Sequence, residues 1–457
     1  MNPAIFREYD VRGIAERDFD STFARDLGRA FGTLAREHGA RIVSVGRDAR
    51  LTSPSYAAAL ADGLSSTGLT VLDLGMCPTP LVYFSLFHWQ LDGGIQVTGS
   101  HNPTDYNGFK LCLGTKSIYG DEIQDLRRRM ETGRYTTGDG TIEARAVIPP
   151  YQAYVGANIG RLPRTIKAVV DAGNGAGGPV APAIYRAMGV DLTELYCEPD
   201  GRFPHHHPDP TVEENMQDLV RRVAETEAEI GIAFDGDADR IGVVDAAGRV
   251  VWGDELLILF ARDVLARNPG ATIVSEVKCS QRLYDDVAAH GGHAIMWKAG
   301  HSLLKAKMRE TGALLGGEMS GHIFFKERYF GFDDAVYAGA RLLEILGRSG
   351  KTVSQLLADL PPAHSTPEIR VDCPDALKFR VADEVRNHLR AAGHGIVDID
   401  GVRAQFPHGW GLVRASNTQP ILVLRFEAET AALLTQYQTE VEAVVRSVRT
   451  ELDASIA

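Results

Sequence analysis

The chain has 457 residues, 44% of them hydrophobic and 24% charged, with a net charge of −12. That length exceeds what one hydrophobic core serves, so several domains are expected, in an ordinary globular composition. The negative charge excludes nucleic-acid binding through a broadly basic face, and no apolar run approaches the ~20 residues of a membrane span. Cys77, Cys112, Cys197, Cys279 and Cys373 are scattered without C-x-x-C spacing, the pattern of buried thiols in a reducing cytoplasm.

Short β-branched runs alternate with segments of helical period. Residues 42–45, 70–74, 95–97, 168–170 and 230–233 read as strands, and 55–66, 122–131 and 213–229 as helices. This alternation predicts α/β layers with mixed or parallel sheets. Asn107-Gly108-Phe109-Lys110 reads as a tight turn followed by a cation. The texture changes ahead of Pro149-Pro150, a strand pair ends near 249 before a helix over 254–268, and 360–367 is a proline-rich linker. The expected domains are 1–146, 147–249, 250–364 and 365–457. The last reads as a small α+β unit: a strand at 368–372, a helix over 379–392, then a strand-rich return to a final helix.

Four segments carry chemistry. Thr98-Gly99-Ser100-His101-Asn102-Pro103 sets a serine in a turn straight after a buried strand. A free hydroxyl is a poor nucleophile and needs a base, a metal or prior modification; phosphorylated, it carries about −1.5 to −2 charge and binds a divalent cation. The G-x-S-x-G elbow of serine hydrolases is absent, because Thr98 and Asn102 occupy its glycine positions. Asp235-Gly236-Asp237-Ala238-Asp239-Arg240 can set three carboxylates around one hard cation. An EF-hand needs Gly and Glu where this chain has Arg240 and Ala246. Glu318, Ser320 and His322, spaced by two, offer donors and acceptors to a polyhydroxylated ligand, and Arg414-Ala415-Ser416-Asn417-Thr418, read as a loop before a strand at 421–426, suits a phosphate dianion.

Two further motifs compete for attention. Gly173-Asn174-Gly175-Ala176-Gly177-Gly178 fits G-x-G-x-x-G with Glu194 downstream, although close strand–helix packing accounts for such glycines equally well. His205-His206-His207 invites zinc, but adjacent side chains diverge and a polar loop is the better reading.

Taken together and in this order, these segments resemble the α-D-phosphohexomutase family and its bacterial phosphomannomutase/phosphoglucomutase branch. Phe6-Arg7-Glu8-Tyr9-Asp10-Val11-Arg12-Gly13, Gly46-Arg47-Asp48, Trp297-Lys298-Ala299-Gly300-His301-Ser302 and Phe332-Asp333-Asp334 extend the likeness over the whole chain. The resemblance implies a cytoplasmic monomer of four domains around a central cleft, the first three topologically alike, with no nucleic-acid or membrane partner. It implies that Ser100 is a phosphoserine binding Mg²⁺ together with Asp235, Asp237 and Asp239. Glu318, Ser320 and His322 would hold sugar hydroxyls, and Arg414, Ser416, Asn417 and Thr418 the remote phosphate. Tyr9, Arg12, Lys110, Arg240, Lys278 and His301 match further cleft positions. The implied reaction interconverts hexose 1- and 6-phosphates through a 1,6-bisphosphate, with glucose 1,6-bisphosphate as activator. Met319 fits this branch, whereas the phosphoglucosamine branch usually carries Gln there; Ala238 stands where the family often has Gly. The alternatives are a phosphoglucosamine mutase and a phosphohydrolase acting through a phosphoserine, which would call for clustered metals with His ligands.

Overall fold

The computed structural model describes residues 2–417 and 419–454. Four sheets succeed one another along the chain. The first is ordered Val11–Ile14, Tyr106–Leu113, Gly93–Val97, Ile42–Arg47, Thr70–Met76, Thr141–Ala144, with Lys116–Ser117 beside Tyr106–Leu113. The second runs Val250–Val251, Ile241–Asp245, Ile230–Phe234, Lys167–Asp171, Asp191–Leu195, and so reaches past residue 249. The third runs His293–Trp297, Thr272–Glu276, Leu315–Gly317, Ile323–Phe325. The fourth is antiparallel throughout, built on the pair Gly409–Ala415 and Ile421–Ala428.

One unit recurs in the first three sheets. A strand parallel to a neighbour ends in a loop, and the chain returns antiparallel beside it. Gly93–Val97 returns as Tyr106–Leu113, Ile230–Phe234 as Ile241–Asp245, and Leu315–Gly317 as Ile323–Phe325. The loops between them hold Ser100, the three aspartates, and Glu318 to His322. Each opens from the C-terminal end of a parallel strand, where open α/β sheets place their ligands. Gly93–Val97 and Ile230–Phe234 are buried along their whole length, which is why they read as continuous apolar runs rather than alternating ones.

Three local expectations need correction. Asn107-Gly108 is not a turn: it lies in Tyr106–Leu113, paired with Gly13 and Arg12 of Val11–Ile14. Gly108 is there because a Cβ would stand 2.4 Å from the Val11 carbonyl, and Asn107 is spent on Thr52 and Ser53. Residues 213–229 form a 3-10 turn, Glu213–Met216, and a helix, Gln217–Thr226, closed by Glu227 at φ 51°. Arg414 sits in the strand Gly409–Ala415 rather than in the loop after it. The helix Thr79–His88 escaped the sequence reading because it is buried on nearly every side and shows no polar stripe.

That helix joins a core shared by the second and third sheets, including Leu81, Phe84, Ile232, Phe260 and Leu343. The first sheet keeps its own core around Phe31, Tyr56 and Phe109, and the fourth around Val385, Val413 and Phe426. Among the described residues no helix is long and apolar enough to cross a membrane.

Candidate active site

The three loops meet. Ser100 Oγ donates to Asp235 Oδ2 at 2.7 Å and lies 3.0 Å from His101 Nδ1. Asp235 Oδ1 accepts from the amides of Asp239 and Arg240 at 3.1 Å each, which curls the loop so that its acids converge. Ala238 turns the corner at φ 54°; such a backbone favours Gly and tolerates Ala at some cost. All three aspartates are fully buried.

Lys110 reaches across from the first sheet. Its Nζ donates to Asp237 Oδ2 at 2.7 Å and to Asp239 Oδ2. Thr79, at the head of the helix Thr79–His88, donates its hydroxyl to Asp237 Oδ2 at 2.5 Å and its amide to the Asp237 carbonyl at 2.9 Å. Burial pushes the Asp235 carboxyl well up, aided by repulsion from Asp237 and Asp239. Burial and Asp237 likewise raise Asp239. Burial opposes the charge of Asp237 too, but the Lys110 ammonium outweighs it and holds that carboxyl below the usual range.

Three carboxylates face one ammonium, and Asp237 Oδ1 and Asp239 Oδ1 have no hydrogen-bond partner among the described residues. Buried negative charge with unspent oxygens is the donor set of a hard divalent cation. Asp239, His322 and Asp333 form a second cluster. There Arg240 Nε donates to His322 Nε2 at 3.0 Å. Arginine only donates, so the ring proton belongs on Nδ1, which faces Asp333 Oδ2 at 3.0 Å. A protonated nitrogen is no metal ligand, which leaves this cluster a set of close polar contacts rather than a second cation site.

The remaining expected residues form a continuous chain from this pole to the fourth sheet. Arg12 donates to Asn102 Oδ1 at 2.5 Å and pairs with Asp10. The rings of His301 and His322 stack at 5.5 Å, and Tyr9 meets His301 edge-on at 5.8 Å. Burial holds His101 and His301 well below the usual histidine range and pushes the Tyr9 phenol up. Glu318 accepts from Gly300 N at 2.8 Å and from Ser320 Oγ at 3.0 Å. Asp400 bridges Ala299 N at 3.0 Å and Arg414 Nε at 2.9 Å. Lys278 Nζ donates to Glu368 at 3.0 Å. Ser416 Oγ accepts from Gln419 N at 3.1 Å, and Asn417 meets Tyr9. Thr418 lies outside the described residues.

Sequence reasoning passed over Thr79, Asp400 and Glu368, and met Asp333 only within the segment Phe332-Asp333-Asp334, without a role. Nothing local marks them; each joins the site only through the fold. The competing motifs are spent on packing. A Cβ on Gly175 would stand 2.7 Å from the Gly236 carbonyl, and one on Gly178 1.9 Å from that of Cys197. His206 bonds Asp171 at 3.0 Å and His205 bonds Asn174 at 2.8 Å, so the histidines diverge.

Carboxylates and cations meet here at the ends of parallel strands from three similar units, the place where open α/β sheets carry an enzyme site. Models of four phosphoglucomutase/phosphomannomutase domains match the chain in order: alpha/beta/alpha domain I over residues 3–136, domain II over 150–248, domain III over 252–364 and the C-terminal domain over 368–444. A phosphomannomutase/phosphoglucomutase of Pseudomonas putida is 46% identical over 449 residues, 98% of this chain and 97% of the relative. A phosphoglucomutase of Neisseria gonorrhoeae is 45% identical over 447 residues, 97% of each. The crystal structure of a phosphoglucomutase/phosphomannomutase family protein from Burkholderia thailandensis superposes with a TM-score of 0.93 at 47% identity, covering 98% of each chain. The chain therefore belongs to the phosphoglucomutase/phosphomannomutase family, enzymes that are intramolecular phosphotransferases.

Proposed function

We propose that the chain interconverts hexose 1-phosphate and hexose 6-phosphate, of mannose, glucose or both, through a phosphoserine at Ser100. The contact of Ser100 Oγ with Asp235 Oδ2 at 2.7 Å, made between the first and second sheets, carries this reading. Asp235, Asp237 and Asp239, with the phosphorylated serine, would hold Mg²⁺, which supplies positive charge to the phosphoryl oxygens. Lys110, Arg240 and Arg12 add fixed cations around the same oxygens, so that charge spread over the transferring group meets preorganised donors.

In the first half-reaction the Ser100 Oγ–P bond breaks as a bond forms from phosphorus to the free hydroxyl of the sugar, whose proton passes to a basic group of the site while the leaving Ser100 Oγ takes up one proton. A hexose 1,6-bisphosphate results and Ser100 regains its hydroxyl. The intermediate turns end for end and returns its other phosphate to Ser100. Glu318, Ser320 and His322 hold ring hydroxyls in both orientations, while Arg414, Ser416, Asn417, Thr418 and Lys278 hold the phosphate away from the serine. His301 joins Arg12, Lys110 and Arg240 among the catalytic groups, and Tyr9 is among those that bind substrate. The domains carrying these parts are those expected from the sequence, 1–146, 147–249, 250–364 and 365–457, with the second boundary moved past Val251 to keep the second sheet whole, and with the last able to move against the others.

The test is kcat/KM for glucose 1-phosphate, mannose 1-phosphate and glucosamine 1-phosphate, with Mg²⁺ and trace glucose 1,6-bisphosphate. Isomerisation of the first two is expected, and loss of Ser100 in Ser100→Ala should lower it by orders of magnitude. Inorganic phosphate released faster than isomer, or a near-normal rate in Ser100→Ala, would overturn the reading.

A further inference from the structure

The backbone that presents Ser100 is left-handed at the serine itself, with φ 48°. A non-glycine residue keeps that conformation only where its surroundings over-determine it. Here the determinant is Arg50, 1% exposed. Its Nη2 donates to the carbonyls of Ser100 at 2.9 Å and Asn102 at 2.5 Å, and its Nη1 to those of Pro103 at 2.5 Å and Tyr106 at 2.9 Å. Its Nε lies 3.3 Å from Asp48 Oδ2. The same carboxylate accepts from Thr98 Oγ1 at 2.8 Å and from Gly99 N at 3.1 Å, tying the strand end to the guanidinium. Gly99 leaves room for this: a Cβ there would stand 2.5 Å from Arg50 Nε.

One carbonyl between Ser100 and Pro103 escapes Arg50, and a second side chain takes it. His207 Nε2 contacts the His101 carbonyl, from the segment that leads away from the strand Asp191–Leu195 of the second sheet. Phe203, from that segment too, lies under the guanidinium at 5.3 Å. The aspartate loop closes the remaining side, where a Cβ on Gly236 would stand 2.5 Å from the Ser100 carbonyl. Every carbonyl from Ser100 to Pro103 is thus held by one of two side chains.

We propose that Arg50 and His207 form a two-residue clamp that positions Ser100 for phosphoryl transfer without touching the substrate. The inference rests on the phosphoserine reading. Two physical reasons favour it over a purely structural bond set. A buried guanidinium with a single carboxylate partner costs more than apolar packing would, so its presence calls for a task that apolar packing cannot do. The serine also gains and loses about two negative charges in each cycle, pulling its loop toward the cleft cations each time. A nucleophile displaced by about 1 Å loses on the order of a hundredfold in rate. Arg50 reaches the Ser100 carbonyl and not its Oγ, so it acts through the backbone.

The experiment compares Arg50→Lys, His207→Phe and His207→Gln with the wild type. It reads kcat and KM for glucose 1-phosphate with Mg²⁺ and glucose 1,6-bisphosphate, the unfolding midpoint, and amide exchange over residues 99–107. Lysine keeps the charge but cannot reach four carbonyls. Arg50→Lys is expected to lower kcat about a hundredfold with KM within about threefold, and to speed exchange in that loop alone. Should Arg50→Lys not fold, the half-buried His207 decides. His207→Phe is then expected to lower kcat about tenfold at constant KM, and His207→Gln, which restores an N–H donor, to recover most of it. A folded Arg50→Lys or His207→Phe with wild-type kcat, or a loss carried by KM, overturns the clamp. Failure of the phosphoserine itself shows separately, as a wild type that takes no phosphate from the bisphosphate or a Ser100→Ala that still turns over.

Discussion

Asn417 Nδ2 donates to the Tyr9 hydroxyl at 2.7 Å, joining residues 408 positions apart. The same hydroxyl donates to the Ala299 carbonyl at 2.9 Å. One phenol thus ties the first and fourth domains to the loop before His301. Removing it in Tyr9→Phe leaves the ring in place and deletes both bonds. At about 1 kcal/mol for each of the two net hydrogen bonds, KM for glucose 1-phosphate is expected to rise about thirtyfold, with kcat changed less. Steady-state kinetics checks this, and a loss confined to kcat would show that the contact serves chemistry instead of closure.

Lys110 places its ammonium against two of the three buried carboxylates, Asp237 and Asp239. Lys110→Met leaves those charges uncompensated, and breaking a buried pair in this way costs about 3–5 kcal/mol. A lower unfolding midpoint is expected in chelator. Millimolar Mg²⁺ should restore more of it in the variant than it adds to the wild type, since a cation bound only by the folded state stabilises by mass action. Equal Mg²⁺ effects on both proteins would separate Lys110 from the cation site.

The sequence disclosed the parts of the site that are dense along the chain. Asp235, Asp237 and Asp239 sit in one turn after one strand, and Ser100 ends another, so local pattern alone marks them. Lys110 was legible as a cation near the serine, but its strand was misread because Asn107-Gly108 has the composition of a turn and the pairing that overrides it comes from Val11–Ile14. Arg50 and Thr79 were silent. Thr79 meets Asp237 across 158 positions, and Arg50 lies 50 before the carbonyl it holds. Such roles are written in the packing of one sheet on another, which no periodicity records.

Thr79 offers a test of how far the metal loop depends on its supports. Its hydroxyl and Lys110 both donate to Asp237 Oδ2, which leaves Oδ1 free of partners among the described residues. Thr79→Val keeps the shape and removes the donor. Loss of a partner that orients a metal-binding carboxylate typically weakens metal affinity about 10- to 100-fold. The Mg²⁺ concentration for half-maximal activity should rise by about tenfold, with the saturated rate little changed. An unchanged Mg²⁺ requirement would mean that Lys110 alone fixes Asp237.

Glu368 gives a pH signature for the join between the third and fourth domains. It accepts from Lys278 at 3.0 Å and Arg370 at 3.2 Å, and its side chain is 20% exposed. Burial opposes its charge, but Lys278, Arg370 and Arg414 outweigh burial and hold the carboxyl at about 2, against an ordinary 4.5. A folded value below the unfolded one means stability that is fully present above pH 4.5 and is lost as pH falls toward 2. Allowing for partial exposure, the contribution at neutral pH is about 2 kcal/mol. Glu368→Gln should therefore be less stable than the wild type at pH 7. Denaturant midpoints taken from pH 7 down to 3 should show the gap closing below pH 4.5, because the wild-type carboxyl is by then losing the charge that Lys278 pairs with. A gap that stays constant across that range would mean the glutamate acts through packing rather than through its charge.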